Sequence, residues 1–542
     1  MKNHIKTSRF FLLSGLTLAM VACGTIPPKA QSVLAQPKVP IESPFVTLEE
    51  ATISTEEAPS VASLRWQDFY ADPKLKALIE MGLAHNKDLQ SAILAVQSAR
   101  AQYRITNASS YPSVGASGGA SLGADNARDK NASDSYNVGL AMSSYELDLW
   151  GKVANAKEVA LHDYLAKNSA KDAVQISLIS GIAQGYVNLS YALAQRQLAL
   201  ETLKTREHSL FINQKRFEAG IDAKSTSLQA EASLESAKLT VYQADTEILK
   251  ARNALQLLVG SPIPDELMPE LAVSNITTQT LFNAGLPSEL LYHRPDIVQA
   301  EHALKSAGAN INVARAAYFP SIKLSSSIGY SSTDLSDLFK TGAFSWSIGP
   351  SISLPIFDAG ARRASYEVAQ INQKSMLVAY EKAIQTAFKE VSDVLATRAT
   401  MERQLTSQYK LQKNYQETYN IAHARFRAGL DNYLNVLDAE RSLFANQQGI
   451  LNLELQKILS QIQLYHVLGG GATLTAEQIT NAEKQRLAMQ TATLATDEQM
   501  ASIEKQPKNP QTSQNIHQEQ SKSDEHVQEM SDDNDVATQT NP

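Results

Sequence analysis

Residues 425–429 read Arg425-Phe426-Arg427-Ala428-Gly429, and residues 216–220 read Arg216-Phe217-Glu218-Ala219-Gly220. Each closes a long stretch, 361–426 and 151–217, that carries almost no helix breaker. At 1.5 Å per residue, a helix of about 66 residues would be roughly 100 Å long. That exceeds any compact globular domain and points to a rod or bundle. The terminal glycine can take the left-handed position that ends a helix. Asp222 or Asp431 is then expected to cap a second helix, running to Gly260 or Gly469.

The two pentapeptides belong to a longer duplication. His85 and Asp88 match His293 and Asp296, and Tyr111-Pro112 matches Phe319-Pro320, at an offset of 208. Gly151 matches Gly360, Ala230-Glu231 matches Ala439-Glu440, and Gly260 matches Gly469, at an offset of 209. One register held over most of each repeat makes the body one unit written twice. The change of offset falls between Pro112 and Gly151, where a loop should lie.

Upstream of the long helices the period changes. Residues 73–107 and 288–316 are rich in Ala, Leu, Gln and Arg and read as helix, with Pro295 suited to a helix start. After Pro320, Ile322, Leu324, Ile328 and Tyr330 alternate with Lys323, Ser325, Ser327 and Gly329. Phe344, Trp346, Ile348, Ile352, Leu354 and Ile356 do the same against Ser and Gly, and Val114, Leu122, Tyr136, Val138, Leu140 and Met142 give a weaker copy in repeat one. This is strand periodicity with one apolar and one small polar face. Four strands cannot close a barrel, and an open edge in lipid would leave backbone groups unsatisfied. The strands must therefore be pooled with copies of the chain, or else the hairpins belong to a soluble sandwich. Tyr330, Phe344 and Trp346 at one end and Tyr318, Phe319 and Phe357 at the other form aromatic girdles that favour the membrane.

The termini add a compartment. Lys2, Lys6 and Arg9 precede an apolar stretch, Phe10 to Met20, too short to span a bilayer, and Val21-Ala22 precede Cys23, the only cysteine. This reads as a secretory signal over 1–22. Met20-Val21-Ala22-Cys23 resembles the bacterial lipobox, which implies lipidation of Cys23 and, with Gly24 following, the outer membrane. Residues 23–65, with six prolines between Pro27 and Pro59, read as a tether and irregular lead-in; 471–542, acidic and Gln-rich, as a mostly disordered tail. The intervening body divides into a first repeat at 66–260 with a strand hairpin at 113–148, a linker at 261–287, and a second repeat at 288–470 with a strand hairpin at 321–357. A formal net charge of −7 without a basic block argues against a nucleic-acid surface, and one Cys excludes a disulfide framework or a Cys-based zinc site.

Taken together, the duplicated halves, Phe357-Asp358-Ala359-Gly360 at the strand exit, and Arg425-Phe426-Arg427-Ala428-Gly429 followed by Tyr433-Leu434 and Leu437-Asp438-Ala439-Glu440-Arg441 resemble the TolC-type outer-membrane efflux family, in its OprM-like lipoprotein branch. The resemblance implies an α+β membrane protein. Three protomers would form a twelve-stranded β-barrel, four strands per chain and two per repeat, continued by a long periplasmic α-helical barrel of coiled-coil hairpins. It implies a homotrimer, a periplasmic adaptor protein meeting the hairpin turns at Gly220 and Gly429, and an inner-membrane pump, commonly of the resistance-nodulation-division class. The barrel-to-helix junctions fall at Pro112, Gly151, Pro320 and Gly360.

Leu434, Asp438 and Arg441 lie on one face of a helix just past the Gly429 turn. The matching residues of repeat one are Ser225, Gln229 and Ala232, so the charges occur in one hairpin only. Alone, Asp438 with Arg441 would be a surface pair worth under about 1 kcal/mol. The family resemblance implies instead a periplasmic gate, with Leu434 as a hydrophobic constriction, Asp438 and Arg441 as polar locks, and an iris-like opening of residues 425–441. No Gly-x-Gly-x-x-Gly, Walker, His-Glu-x-x-His or Gly-x-Ser-x-Gly pattern is present, so no enzyme, cofactor or metal is expected and transport energy must come from a partner. A periplasmic lipoprotein adaptor is the alternative, although it explains neither two hairpins of equal length nor two membrane-like strand pairs.

Overall fold

The structure, a computed structural model, describes residues 64–123, 134–278 and 294–470. Signal, lipobox, tail and most of the lead-in lie outside the described residues. In chain order the elements are α1 (Trp66–Phe69), α2 (Pro73–His85), α3 (Lys87–Ala108), β1 (Val114–Ser121), β2 (Ser135–Glu146), α4 (Lys152–Glu218), α5 (Lys224–Val259), α6 (Pro295–Ala316), β3 (Ser321–Ser332), β4 (Phe344–Ser353), α7 (Ala361–Arg427) and α8 (Tyr433–Val467).

The helix expected over 73–107 is two helices, because Asn86 serves as cap rather than as a helical residue. Its Oδ1 accepts from the Leu89 N–H at 2.9 Å, while its Nδ2 donates to the Leu258 carbonyl at 2.9 Å, tying the break to α5. Immediately before α2, Asp72 accepts from the N–H groups of Lys74 and Leu75, and Pro73 occupies a position that needs no donor.

β1 to β4 form one antiparallel sheet in sequence order, so the middle pair, β2 with β3, joins the two repeats. The register aligns Val138 with Tyr330, Leu140 with Ile328, and Ile328 with Trp346 on one face. Gly139 with Gly329 and Ser327 with Ser347 occupy the other face, where the two serine hydroxyls lie 2.8 Å apart. A bulge between Met142 and Tyr145, with Ser144 at φ 66°, swings Tyr145 back onto the apolar face opposite Leu324. Among the described residues neither face of the outer strands is covered: β1 is exposed throughout, β4 everywhere but at Gly349, and Trp346 and Ile352 are each 70% exposed.

α4 and α7 are each 67 residues long, about 100 Å at the α-helical rise. Both start after a left-handed glycine, Gly151 at φ 75° and Gly360 at φ 91°. Just upstream, Asp148 accepts from the Val153 and Ala154 N–H groups, and Asp358 from those of Gly360 and Arg362. Both helices end in the turn expected from the pentapeptides. Gly220 and Gly429 have φ of 70° and 75°, and the Ile221 and Leu430 N–H groups reach back to the carbonyls of Arg216 and Arg425.

The helices that follow are not capped by the expected Asp222 and Asp431. The cap residue of α5 is Ala223, with no side-chain bond, and that of α8 is Asn432, which accepts from the Asn435 N–H. Asp222 and Asp431 instead pair with Arg216 and Arg425, each at 2.6 Å. An arginine six residues upstream, brought back by the turn, competes successfully for the carboxylate.

The main core gathers α2, α4, α5 and α8. Phe69 stacks on Tyr465 at 4.0 Å between ring centroids, and Leu75, Leu78, Ile79, Ile182, Tyr186, Leu189 and Leu255 fill the space around them. Tyr186 donates to Asp72 at 2.8 Å, and Tyr465 to the Leu64 carbonyl at 2.8 Å. Buried Arg294 fastens α6 to its neighbours by donating to Asp296, Glu390 and the Val467 carbonyl. Among the described residues no helix is long and apolar enough to cross a membrane.

Candidate gate, hairpin tips and junctions

α8 is two-faced from its first turn. Tyr433, Val436 and Leu437 are buried with Phe426 and with Ala230 of α5, forming a second, smaller core beneath the hairpin turns. Opposite them, Leu434 is 44% exposed, and Asp438 and Arg441 are exposed as well, 3.7 Å apart. The structure thus brings the three residues singled out in the sequence onto one open stripe of α8, clear of the protomer's own core.

The stripe is anchored from behind by a contact that the sequence does not announce. Glu440, on the buried side of α8, accepts from Arg206 Nε of α4 at 3.1 Å, and Arg206 also donates to the Ser233 carbonyl of α5 at 2.9 Å. Arg206 and Glu440 are each 6% exposed. Burial raises the Glu440 carboxyl above the usual range, and the Arg206 charge opposes that rise. Its second oxygen, Oε2, receives no hydrogen bond among the described residues. Beside it, burial and the Glu440 charge push the Tyr433 hydroxyl up to about 12. The only local hint was that Ala439-Glu440 repeats Ala230-Glu231, yet Glu231 is exposed and the residue matching Arg206 is Tyr415.

At the tips, Gly220 and Gly429 are each followed by an exposed aliphatic residue, Ile221 at 64% and Leu430 at 68%. The pentapeptides differ in environment despite their identity of pattern. Phe426 is buried with the Arg216 guanidinium 4.8 Å above its ring, whereas Phe217 is 41% exposed. The first hairpin therefore covers the base of the second, and not the reverse.

At the sheet end the junctions of the two repeats are stapled together. Trp150, next to Gly151, donates to the Pro320 carbonyl at 2.8 Å and stacks on Phe319 at 4.7 Å, while Arg315 lies 5.3 Å from the same ring. Pro112 follows α3 directly before β1, and Gly360 precedes α7. Cys23 lies outside the described residues. Among the described residues no group of three or more His, Cys, Asp or Glu side chains is placed to hold a metal ion.

These elements match known proteins over nearly their whole length. The sequence model of the outer membrane efflux protein family matches residues 78–261 and 286–470. The chain is 38% identical over 457 residues to the cation efflux system protein CusC of Escherichia coli O6:H1, covering 84% of this chain and 97% of that protein. It is 37% identical over 470 residues to the toluene efflux pump outer membrane protein TtgC of Pseudomonas putida, covering 84% and 95%. Among solved structures, the open state of the Neisseria gonorrhoeae MtrE outer membrane channel superimposes with a TM-score of 0.73 at 36% identity, over 83% of this chain and 98% of that one. With one family model spanning both repeats and relatives aligned almost end to end, the chain belongs to the outer membrane efflux protein family.

Proposed function

We propose that three copies of this chain form a passive, gated duct: the outer-membrane component of a tripartite efflux system, fed by an inner-membrane pump and a periplasmic adaptor. The observation that carries this reading is the four-stranded sheet. It has an apolar face and a Ser/Gly face, both open, edge strands β1 and β4 each paired on one side only among the described residues, and two 67-residue helices leaving its far end. Pairing β1 of one copy with β4 of the next satisfies both edges and closes a barrel with its apolar face to lipid. A soluble sandwich would cover Trp346 and Ile352, and an adaptor would have no use for the sheet.

In this duct Leu434, Asp438 and Arg441 ring the periplasmic mouth. Leu434 narrows it, and Asp438 with Arg441 links neighbouring helices until α7 and α8 swing apart. Ile221 and Leu430 at the Gly220 and Gly429 turns offer the adaptor small apolar knobs. Cys23, acylated, tethers the chain to the outer membrane. The division into two repeats with a linker near 261–287 follows from the same duplication. Action by conduction and not by chemistry is supported by relatives named as efflux proteins. Relatives named for cation and toluene efflux support a cargo of small toxic solutes chosen upstream by the pump.

The test is planar-bilayer conductance of the detergent-extracted protein, with oligomeric mass from the same sample. A trimer with small, rarely opening channels is expected. A monomer that never conducts would overturn the reading.

A further inference from the structure

About ten residues below the strand end of α4, His162 faces His302 of α6, and the two Nδ1 atoms stand 3.2 Å apart. The rings are stacked at 5.3 Å with 27° between their planes, and both are half-buried. This contact joins the first repeat to the second, and neither the proposed conduction nor the gate uses it. We propose that His162 and His302 form a two-imidazole site for a late first-row divalent cation such as Zn²⁺, Ni²⁺ or Cu²⁺.

The geometry is the first argument. Two nitrogens each about 2.05 Å from one metal and 3.2 Å from one another subtend about 100° at that metal, between the square-planar and tetrahedral angles. Rotation about χ2 of each ring, a broad torsion, turns both lone pairs toward the common point. The protonation state is the second. Partial burial, the neighbouring imidazole and Lys305 lower the His302 pKa, and partial burial also lowers that of His162, so both rings are neutral at pH 7 and available as ligands. Without metal one Nδ1–H donates to the other Nδ1. On binding, that proton moves to Nε2 of the same ring, so both Nδ1 lone pairs are free and no net proton is released.

The surroundings supply negative charge. Glu158 is exposed one turn before His162, at the spacing that puts both on one helix face. Lys305 is neutralised by Glu301 at 2.6 Å, and Asp163 accepts from the Ser306 hydroxyl at 2.7 Å, which leaves Glu158 as the mobile carboxylate. Water completes the coordination. A cation held here bridges α4 to α6 and fastens the two repeats together just beneath the barrel.

The experiment uses the full chain in detergent, stripped with chelator, then titrated with Cu²⁺ and, separately, Zn²⁺ by calorimetry, with the paramagnetic spectrum of the Cu²⁺ form recorded. The baseline is the double variant His162→Gln with His302→Gln, because other histidines of the chain can bind metal weakly. One cation per chain above that baseline is expected, with two nitrogen ligands in the Cu²⁺ spectrum. Either single variant should weaken binding by no less than the roughly 10- to 100-fold that loss of a mere supporting partner costs. Glu158→Gln should weaken binding less than either histidine variant while retaining both nitrogens. Oligomeric mass and helical content, unchanged in the variants, separate lost ligation from lost fold. Equal binding by wild type and double variant, or a Cu²⁺ spectrum with the same nitrogens in both, would overturn the proposal. Failure of the conductance test would not touch it.

Discussion

Arg206→Ala tests whether the face of α8 turned away from the duct governs its opening. The substitution removes the donor to Glu440 and to the Ser233 carbonyl, leaving a carboxylate with almost no exposure, no hydrogen-bonded partner and only the weaker charge of Arg441 to offset it. Breaking a buried pair by removing one partner costs about 3–5 kcal/mol. If most of that falls on the contact between α4 and α8, the equilibrium between closed and open hairpins shifts by about 10² to a few times 10³, at about 1.4 kcal/mol per tenfold. The open fraction in planar bilayers should rise accordingly, and thermal unfolding should begin earlier. Replacing both partners, Arg206→Met with Glu440→Leu, removes the stranded charge and should restore much of the stability. The same carboxylate predicts a pH effect. Glu440 has a raised pKa, so between its unfolded value and its raised folded value the folded state binds more protons. Its contribution therefore improves as pH falls through that window and is least favourable above it, and Glu440→Gln should remove this component. An Arg206→Ala protein with wild-type conductance and an unchanged melting curve would refute the argument.

Other outcomes follow from single contacts. Asp438→Ala with Arg441→Ala should raise single-channel conductance with little change in stability, since an exposed pair is worth under about 1 kcal/mol; unchanged conductance would sink the gate assignment. A Cβ at Gly139 would meet the Gly329 Cα at 2.8 Å across the β2–β3 pair, so Gly139→Val should abolish the detergent-resistant oligomers expected on gels. Tyr186→Phe leaves Asp72 without its 2.8 Å donor and should cost about 1 kcal/mol in chemical unfolding. Cys23→Ser should release the chain from acyl labelling while conductance of the purified protein stays the same.

What the sequence discloses here follows the range of each force. Periodicity and breakers are local, so the long helices, their glycine turns at Gly220 and Gly429, and the alternating strands were all legible. Pairing across the chain was not. Arg206 and Glu440 are 234 positions apart and come from non-equivalent places in the two repeats, so no spacing rule joins them. The misplaced caps at Asp222 and Asp431 show an intermediate case. A capping residue was expected at the right turn, but whether the carboxylate serves a backbone N–H or an arginine depends on the turn geometry that Gly220 and Gly429 create. Similarly, Asn86 in a helix-rich segment becomes a break because the Leu258 carbonyl of α5 waits for its amide. The face carrying Leu434, Asp438 and Arg441 was readable because exposure on a helix repeats with its period; the gate role proposed for it rests on the family resemblance.

What the single chain leaves bare supports the proposed assembly of copies. Along α5, Leu228, Leu239, Tyr242, Leu249 and Leu257 are exposed, and along α7 so are Val368, Ile371 and Val378. Phe217 is bare where its counterpart Phe426 is covered by the first hairpin of the same protomer. A helical rod with such stripes on two sides cannot bury them by folding on itself, because each hairpin already spends its other face on the core. The open edges of the sheet face the same constraint in the plane of the membrane, where an unpaired backbone group costs several kcal/mol. The proposed closed ring answers both, with the second hairpin of each copy meeting the first hairpin of the next, as β4 is proposed to meet β1 in the barrel. The asymmetry between two nearly identical pentapeptides, one phenylalanine covered and one waiting, is then the mark of an interface that repeats around an axis. It predicts that Phe217→Ser weakens assembly of copies while leaving the isolated chain's helical content unchanged, which sedimentation and circular dichroism on one sample would distinguish. A Phe217→Ser protein that assembles as tightly as wild type would show that this side chain does not lie between neighbours.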